Sequence, residues 1–134
     1  MTPCSIVAMH LCIPALDLTE AITFYQTFFD LRLECIEDGT AQMYFGPHRV
    51  SIRKTSVDSD SLQRHTSDRR IFSRHIGFAV SNPSKVEALA VHFKTKGLKH
   101  FGPLRRRDAI ALFCADPSGN QIEVYYDLLL QEAV

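Results

Sequence analysis

The sequence predicts an α+β fold made of two β-α-β-β-β modules, and three observations carry the expectation. A histidine opens a strand-like run twice, as His10-Leu11-Cys12-Ile13 and as His75-Ile76-Gly77-Phe78. Each run is followed by a short polar break, a helix-like stretch and three more strand-like segments. Between the two copies lies a polar stretch, Thr55 to Arg70, with almost no apolar residue, which reads as a mobile linker. The expected layout is one domain over 1–134, with module 1 at about 5–54, the linker at about 55–71, module 2 at about 72–127 and a tail over 128–134.

In the first module, Ser5 to Ile13 is apolar and alternating, so a strand is expected. Asp17-Leu18-Thr19-Glu20 then places a capping acid three residues before a glutamate, and Leu18, Ile22, Tyr25 and Phe29 follow at helical spacing. Strands are expected at Leu31 to Ile36, Ala41 to Phe45 and Arg49 to Arg53, with Asp38-Gly39 and Gly46-Pro47 as the turns between them. The second module repeats the order. Ser73 to Val80 is a strand, and Ser81-Asn82-Pro83-Ser84 starts a helix whose apolar stripe Val86, Leu89, Ala90, Phe93 stops at Gly97. Leu98 to Leu104, Ile110 to Ala115 and Gln121 to Tyr126 are three further strands, the last two joined by Asp116-Pro117-Ser118-Gly119. A half of about 55 residues buries too little surface to be secure alone, so the two copies are expected to pack together.

Composition narrows the function. With 15 basic and 15 acidic residues the chain is neutral, which argues against nucleic acid as a partner and for a small-molecule substrate. No apolar run approaches the roughly 20 residues that span a bilayer, and Met1 to Ile6 lacks the features of a signal peptide, so no membrane partner and a cytoplasmic location are expected. Cys4, Cys12, Cys35 and Cys114 show no C-x-x-C spacing; three fall in apolar runs and read as reduced core residues.

Strand periodicity sorts the chemistry-bearing residues. Met9, Leu11 and Ile13 face one side while His10 and Cys12 face the other; Ile76, Phe78 and Val80 oppose His75, Gly77 and Ala79; Ile122 and Val124 oppose Gln121, Glu123 and Tyr125. His10, His75 and Glu123 therefore share the face away from the helices, with small neighbours leaving room for something bound. Two imidazoles and a carboxylate are the donor set of an open metal site.

These residues resemble the vicinal oxygen chelate superfamily, which includes glyoxalase I, fosfomycin- and bleomycin-resistance proteins and extradiol dioxygenases. The likeness runs from about Ile6 to Tyr126. It rests on His10, His75, the helix Ala21-Ile22-Thr23-Phe24-Tyr25, and Asp116-Pro117-Ser118-Gly119-Asn120-Gln121-Ile122-Glu123, which is similar to the family's D-P-x-G-x-x-x-E ending. The resemblance implies a mixed sheet curled around a cleft, with a divalent metal (Fe, Mn, Ni, Zn or Mg) held by His10, His75 and Glu123. It also implies a homodimer, in some members with modules exchanged.

Laying Arg49-Val50-Ser51-Ile52 over Gln121-Ile122-Glu123-Val124 puts Ser51 where glyoxalase I carries a fourth, carboxylate ligand, so that reaction is disfavoured. Cys12, Pro103, Arg107 and Phe113 stand where fosfomycin-resistance enzymes carry threonine, lysine, serine and tyrosine, which disfavours that chemistry too. What remains is a metal-dependent lyase, isomerase or dioxygenase acting on a substrate that chelates the ion through adjacent oxygens. The alternative is a metal-free, drug-binding protein. Cys12, Arg49, Ser51, Arg107, Phe113 and Tyr125 are the candidate substrate contacts. Among His48, His100 and Tyr125 nothing selects an acid or base. Phe24, Tyr25, Phe28 and Phe29 read as core aromatics, and His65 and His92 as surface residues.

Overall fold

The computed structural model describes residues 5–56 and 75–132. The first module contains β1 (His10–Ala15), α1 (Leu18–Phe29), β2 (Arg32–Glu37), β3 (Thr40–Phe45) and β4 (His48–Lys54). The second contains β5 (His75–Ala79), α2 (Pro83–Lys96), β6 (His100–Arg105), β7 (Ala109–Ala115) and β8 (Gln121–Asp127), followed by a short α3 (Leu128–Glu132). Each module forms its own open four-stranded mixed sheet, in the orders β1-β4-β3-β2 and β5-β8-β7-β6. The expected β-α-β-β-β repeat is therefore present. The expected linker falls mostly on residues 57–74, which lie outside the described residues, as do Cys4 and His65.

Local chemistry explains the element ends. The Asp17 carboxylate accepts the Glu20 N–H at 2.9 Å and caps α1, and Asp30, at φ 53°, ends it in the left-handed region. Asn82 caps α2, Pro83 fills its first turn, and Gly97 at φ 73° closes it. Asp38 and Gly39 both take positive φ, 51° and 71°, as a tight β2–β3 hairpin requires.

Strand β1 starts later than the expected Ser5. It pairs in parallel with β4, beginning at His10↔Arg49; Met9 still meets the start of β4, its carbonyl accepting the Arg49 N–H at 3.2 Å and its N–H donating to His48 Nδ1 at 3.1 Å, and the chain before it lies beyond that start. Met9 is consequently exposed rather than core-facing, as are Ile6 and Val7. Short α3 falls in the tail over 128–134, where the sequence signals no helix.

The buried residues of both modules form one cluster. Ile13, Tyr25, Met43 and Ile52 from the first belong to the same core as Phe93, Leu112, Ile122 and Val124 from the second. The seam between α1 and the second module is aromatic, with Phe28 and Phe93 of α2 edge to face at 5.3 Å and Phe29 against Phe78 of β5 at 5.1 Å. His92, expected at the surface, is partly buried at this seam and its Nε2 lies 3.0 Å from the Thr27 carbonyl.

A polar knot ties the β7–β8 turn to the first module. Asp116 accepts the Tyr25 hydroxyl at 2.7 Å, the Ser118 and Asn120 backbone N–H groups at 2.9 Å, and the Asn120 side-chain amide at 2.8 Å. Asn120 also donates to the Pro14 carbonyl at 2.8 Å, and Ser118 Oγ accepts the Leu16 N–H at 2.9 Å. Burial, reinforced by the Asp116 carboxylate, pushes the Tyr25 phenol far above its ordinary range, so Tyr25 stays a donor.

The cysteines correct the sequence expectation. All three described cysteines are free, but Cys12 and Cys35 are exposed and only Cys114 is buried. Cys12 lies on the open face of its sheet, and Cys35 sits at the bulge in the edge strand β2, where neither side is covered. Burial, with Asp116 adding to it, pushes the Cys114 thiol up to about 12. Two outcomes follow. A thiol reagent at pH 8 should modify Cys12 and Cys35 in the native protein and Cys114 only after unfolding. Stability should also fall as pH rises from 9.0 toward 12, because the unfolded chain then releases a proton that the folded chain retains. Comparing urea midpoints at pH 8 and pH 10.5 for wild type and Cys114→Ala isolates that contribution.

Candidate functional site

The two sheets carry the same register. In the first, Cys12, Ser51 and Gln42 lie side by side across β1, β4 and β3; in the second, Gly77, Glu123 and Phe113 lie side by side across β5, β8 and β7. Ser51 is thus the positional counterpart of Glu123, as the sequence overlay expects, and His10 opposite Arg49 matches His75 opposite Gln121.

In the second module the predicted residues meet. His75 Nε2 lies 3.1 Å from Glu123 Oε1. Glu123 is buried, 7% exposed, because its β8 position places it mid-sheet beneath neighbours from β5 and β7. Its second oxygen accepts a 2.6 Å hydrogen bond from Arg106 Nη2, so a buried charge is fully partnered. Arg106 comes from the β6–β7 connection; its guanidinium lies over the Phe113 ring at 5.5 Å, and its Nε is 3.7 Å from Asp108. A cavity of about 270 Å³ opens beside this group, lined by His75, Gly77, Arg106, Asp108, Glu123 and Tyr125 among others. The room expected above Gly77 is partly filled: a Cβ there would sit 3.2 Å from the Tyr125 ring. Tyr125 thus forms a wall of the cavity.

In the first module His10 belongs to a separate network. Arg49 Nη2 lies 3.2 Å from His10 Nδ1, His10 Nε2 lies 2.9 Å from Ser51 Oγ, and Ser51 Oγ donates to Gln42 Oε1 at 2.5 Å. Arginine can only donate, so Nδ1 accepts, Nε2 carries the proton, and the chain runs in one direction from Arg49 to Gln42. Cys12 Sγ is 3.5 Å from the same Nε2. Among the described residues no three His, Cys, Asp or Glu side chains stand together as a metal group within one chain. The structure therefore joins His75 with Glu123 and places His10 with Arg49, Ser51 and Cys12.

The other candidates divide. Phe113 and Tyr125 line or flank the Glu123 cavity, whereas Arg107 is exposed and is not among the cavity's lining residues. Arg106 is a candidate site residue that the sequence did not single out from its neighbours. The triplet Arg105-Arg106-Arg107 was visible, but it spans a strand end and a turn, where no periodicity selects which head group turns inward. A second cavity of about 300 Å³ lies where β1 and β4 approach β5, lined by Met9, Leu11, Phe45, His48, Arg49 and His75 among others. No described helix is long and apolar enough to cross a membrane.

Comparison with known proteins agrees with this architecture. Among solved structures, the chain is similar to a lactoylglutathione lyase from Agrobacterium tumefaciens, with 20% identity, TM-score 0.72, and 93% of this chain and 96% of that chain covered. It is similar to a glyoxalase/bleomycin resistance protein/dioxygenase from Alicyclobacillus acidocaldarius, with 26% identity, TM-score 0.69, and 89% of each chain covered. It is also similar to a genomically encoded fosfomycin resistance protein from Listeria monocytogenes, with 14% identity, TM-score 0.73, and 98% of each chain covered. A search of curated proteins finds no significant match. The family profile matches residues 8–124, from the residues before β1 into β8 and across both histidines and Glu123, and on that match the chain belongs to the Glyoxalase/Bleomycin resistance protein/Dioxygenase superfamily.

Proposed function

We propose that the protein is a divalent-metal-dependent enzyme whose site is completed by two copies of the chain: His75 and Glu123 from one, His10 from the other. The observation that carries this reading is the 3.1 Å between His75 Nε2 and Glu123 Oε1 on an open sheet face. Two ligands about 2.1 Å from one ion, at angles near 90–110°, stand roughly 3.0–3.4 Å apart, so this pair already has the spacing of adjacent ligands. The exposure of His10, and of Ile6, Val7 and Met9 just before it, supports contribution of the first module to a second copy.

The ion would supply Lewis-acid polarisation of adjacent substrate oxygens. The chain's own residues do the rest. Glu123 brings a buried negative charge, and Arg106 occupies its second oxygen, so Oε1 is the atom left beside His75. Tyr125 walls the cavity, and the Phe113 ring lies against the Arg106 guanidinium beside it. His10 must give up a hydrogen bond to take part: Nδ1, which accepts from Arg49, has to release it before its lone pair can reach an ion. Lyase or isomerase chemistry suits a redox-inert ion, and oxygen-dependent cleavage suits Fe(II).

The test is complementation between His10→Ala and Glu123→Ala. Wild type should bind close to one ion per chain, and each variant alone should bind at least about tenfold more weakly. After refolding the two variants together, half of the dimers pair one of each, and each such dimer rebuilds one intact site, so about a quarter of an ion per chain should return. No recovery from a mixture whose wild type binds normally would place the site within one chain. A wild type that binds no ion would overturn the metal reading in favour of a metal-free small-molecule binder.

A further inference from the structure

We infer that Arg106 is the residue through which this site recognises an anionic substrate, one that places a carboxylate or similar oxyanion next to its second chelating oxygen. The inference rests on the reading of His75 and Glu123 as metal ligands and adds the substrate's charge to it.

Three arginines stand in a row, yet only Arg106 turns its head group onto Glu123. Three contacts hold it there: Glu123 Oε2 on Nη2, Asp108 near Nε, and the Phe113 ring beneath the guanidinium plane. A long, flexible side chain fixed at three points has already lost the conformational freedom that binding would otherwise cost. These contacts engage Nη2 and Nε, while Nη1 still carries N–H groups, one of which can donate to a substrate oxyanion.

The acids around it are otherwise occupied. Asp108 lies against Arg106 itself, and Asp127 accepts the Leu130 N–H at 2.9 Å. Glu123 is shared with His75. With an ion in place, the ion and the guanidinium offset the three carboxylates Asp108, Glu123 and Asp127, so the preference for an anionic chelator comes from the directed N–H groups of Arg106 rather than from net charge.

The shared carboxylate gives the inference a signature that a merely structural arginine lacks. Arg106 competes with a cation for Glu123, so its removal should tighten metal binding while weakening anion binding. The experiment titrates Mn(II) into apo wild type, Arg106→Met, Arg106→Lys and Arg105→Met by calorimetry, then titrates each Mn(II)-loaded protein with oxalate and with catechol, an uncharged chelator at pH 7. For Arg106→Met the expected result is Mn(II) binding about threefold tighter or more, oxalate binding about tenfold weaker or more, and catechol within about threefold of wild type. Arg106→Lys, which keeps the charge without the fork, should fall between, and Arg105→Met should match wild type. Oxalate affinity unchanged in both Arg106 variants would overturn the inference while leaving the metal reading intact. Joint weakening of Mn(II), oxalate and catechol would show Arg106 to be structural only. Absence of Mn(II) binding in wild type would overturn the metal reading and this inference with it.

Discussion

Replacing Asp116 by alanine is expected to destabilise the protein by about 3–5 kcal/mol, the largest single effect of any substitution considered. The carboxylate is 5% exposed and accepts from Tyr25, the Ser118 and Asn120 backbone and the Asn120 amide. Alanine leaves the fully buried Tyr25 hydroxyl and the turn N–H groups without that acceptor, and each buried donor left unpaired costs about 1–3 kcal/mol. Against a typical total stability of about 5–15 kcal/mol this approaches global unfolding. Tyr25→Phe removes a donor while Asp116 keeps its other partners, and should cost only about 1–2 kcal/mol. Urea denaturation with unchanged slope would read both values, and the double variant should be less unstable than the sum, since both changes remove one bond. An Asp116→Ala protein within 1 kcal/mol of wild type would show that the knot between modules is incidental.

Glu123→Gln is expected to abolish metal-dependent stabilisation while leaving the metal-free fold nearly untouched. A neutral amide oxygen is a far poorer ligand for a hard dication, and affinity should fall by about 100-fold or more. At a metal concentration 100 times the wild-type dissociation constant, wild type gains about 2.7 kcal/mol, whereas a 100-fold weaker variant gains only about 0.4 kcal/mol. In chelator the cost should stay within about 1 kcal/mol, because Gln still offers Arg106 an acceptor and that guanidinium is 41% exposed and can hydrate. Thermal melts of both proteins with EDTA and with each ion separate the two effects. Equal metal-induced shifts in wild type and variant would remove Glu123 from the ligand set.

Much of this was legible in the chain. Helix starts at Asp17 and Asn82, the helix end at Gly97 and the hairpin at Asp38-Gly39 are short-range chemistry, in which a few adjacent residues satisfy or bend their own backbone. The shared strand face of Gly77 and Glu123 also followed from period-two alternation, though not their pairing. Less legible were the ends of β1, set by where β4 begins, and the exposure of Cys12 and Cys35, set by which sheet faces and edges are left uncovered. Gln42 entered the His10 network only through register with Ser51, a relation between residues on different strands.

By itself, then, the sequence determined the repeated β-α-β-β-β order, the residue types available for ligation and the face of the strand on which each stands, because alternation, capping and turn chemistry act over a few residues. Packing in three dimensions was needed to bring His75 to Glu123, to join His10 with Arg49 and Ser51, and to turn Arg106 rather than Arg107 onto the carboxylate. Those outcomes depend on how two sheets pack around one aromatic seam and on which loop side chain can reach a buried charge, and such long-range relations leave no local pattern in the chain.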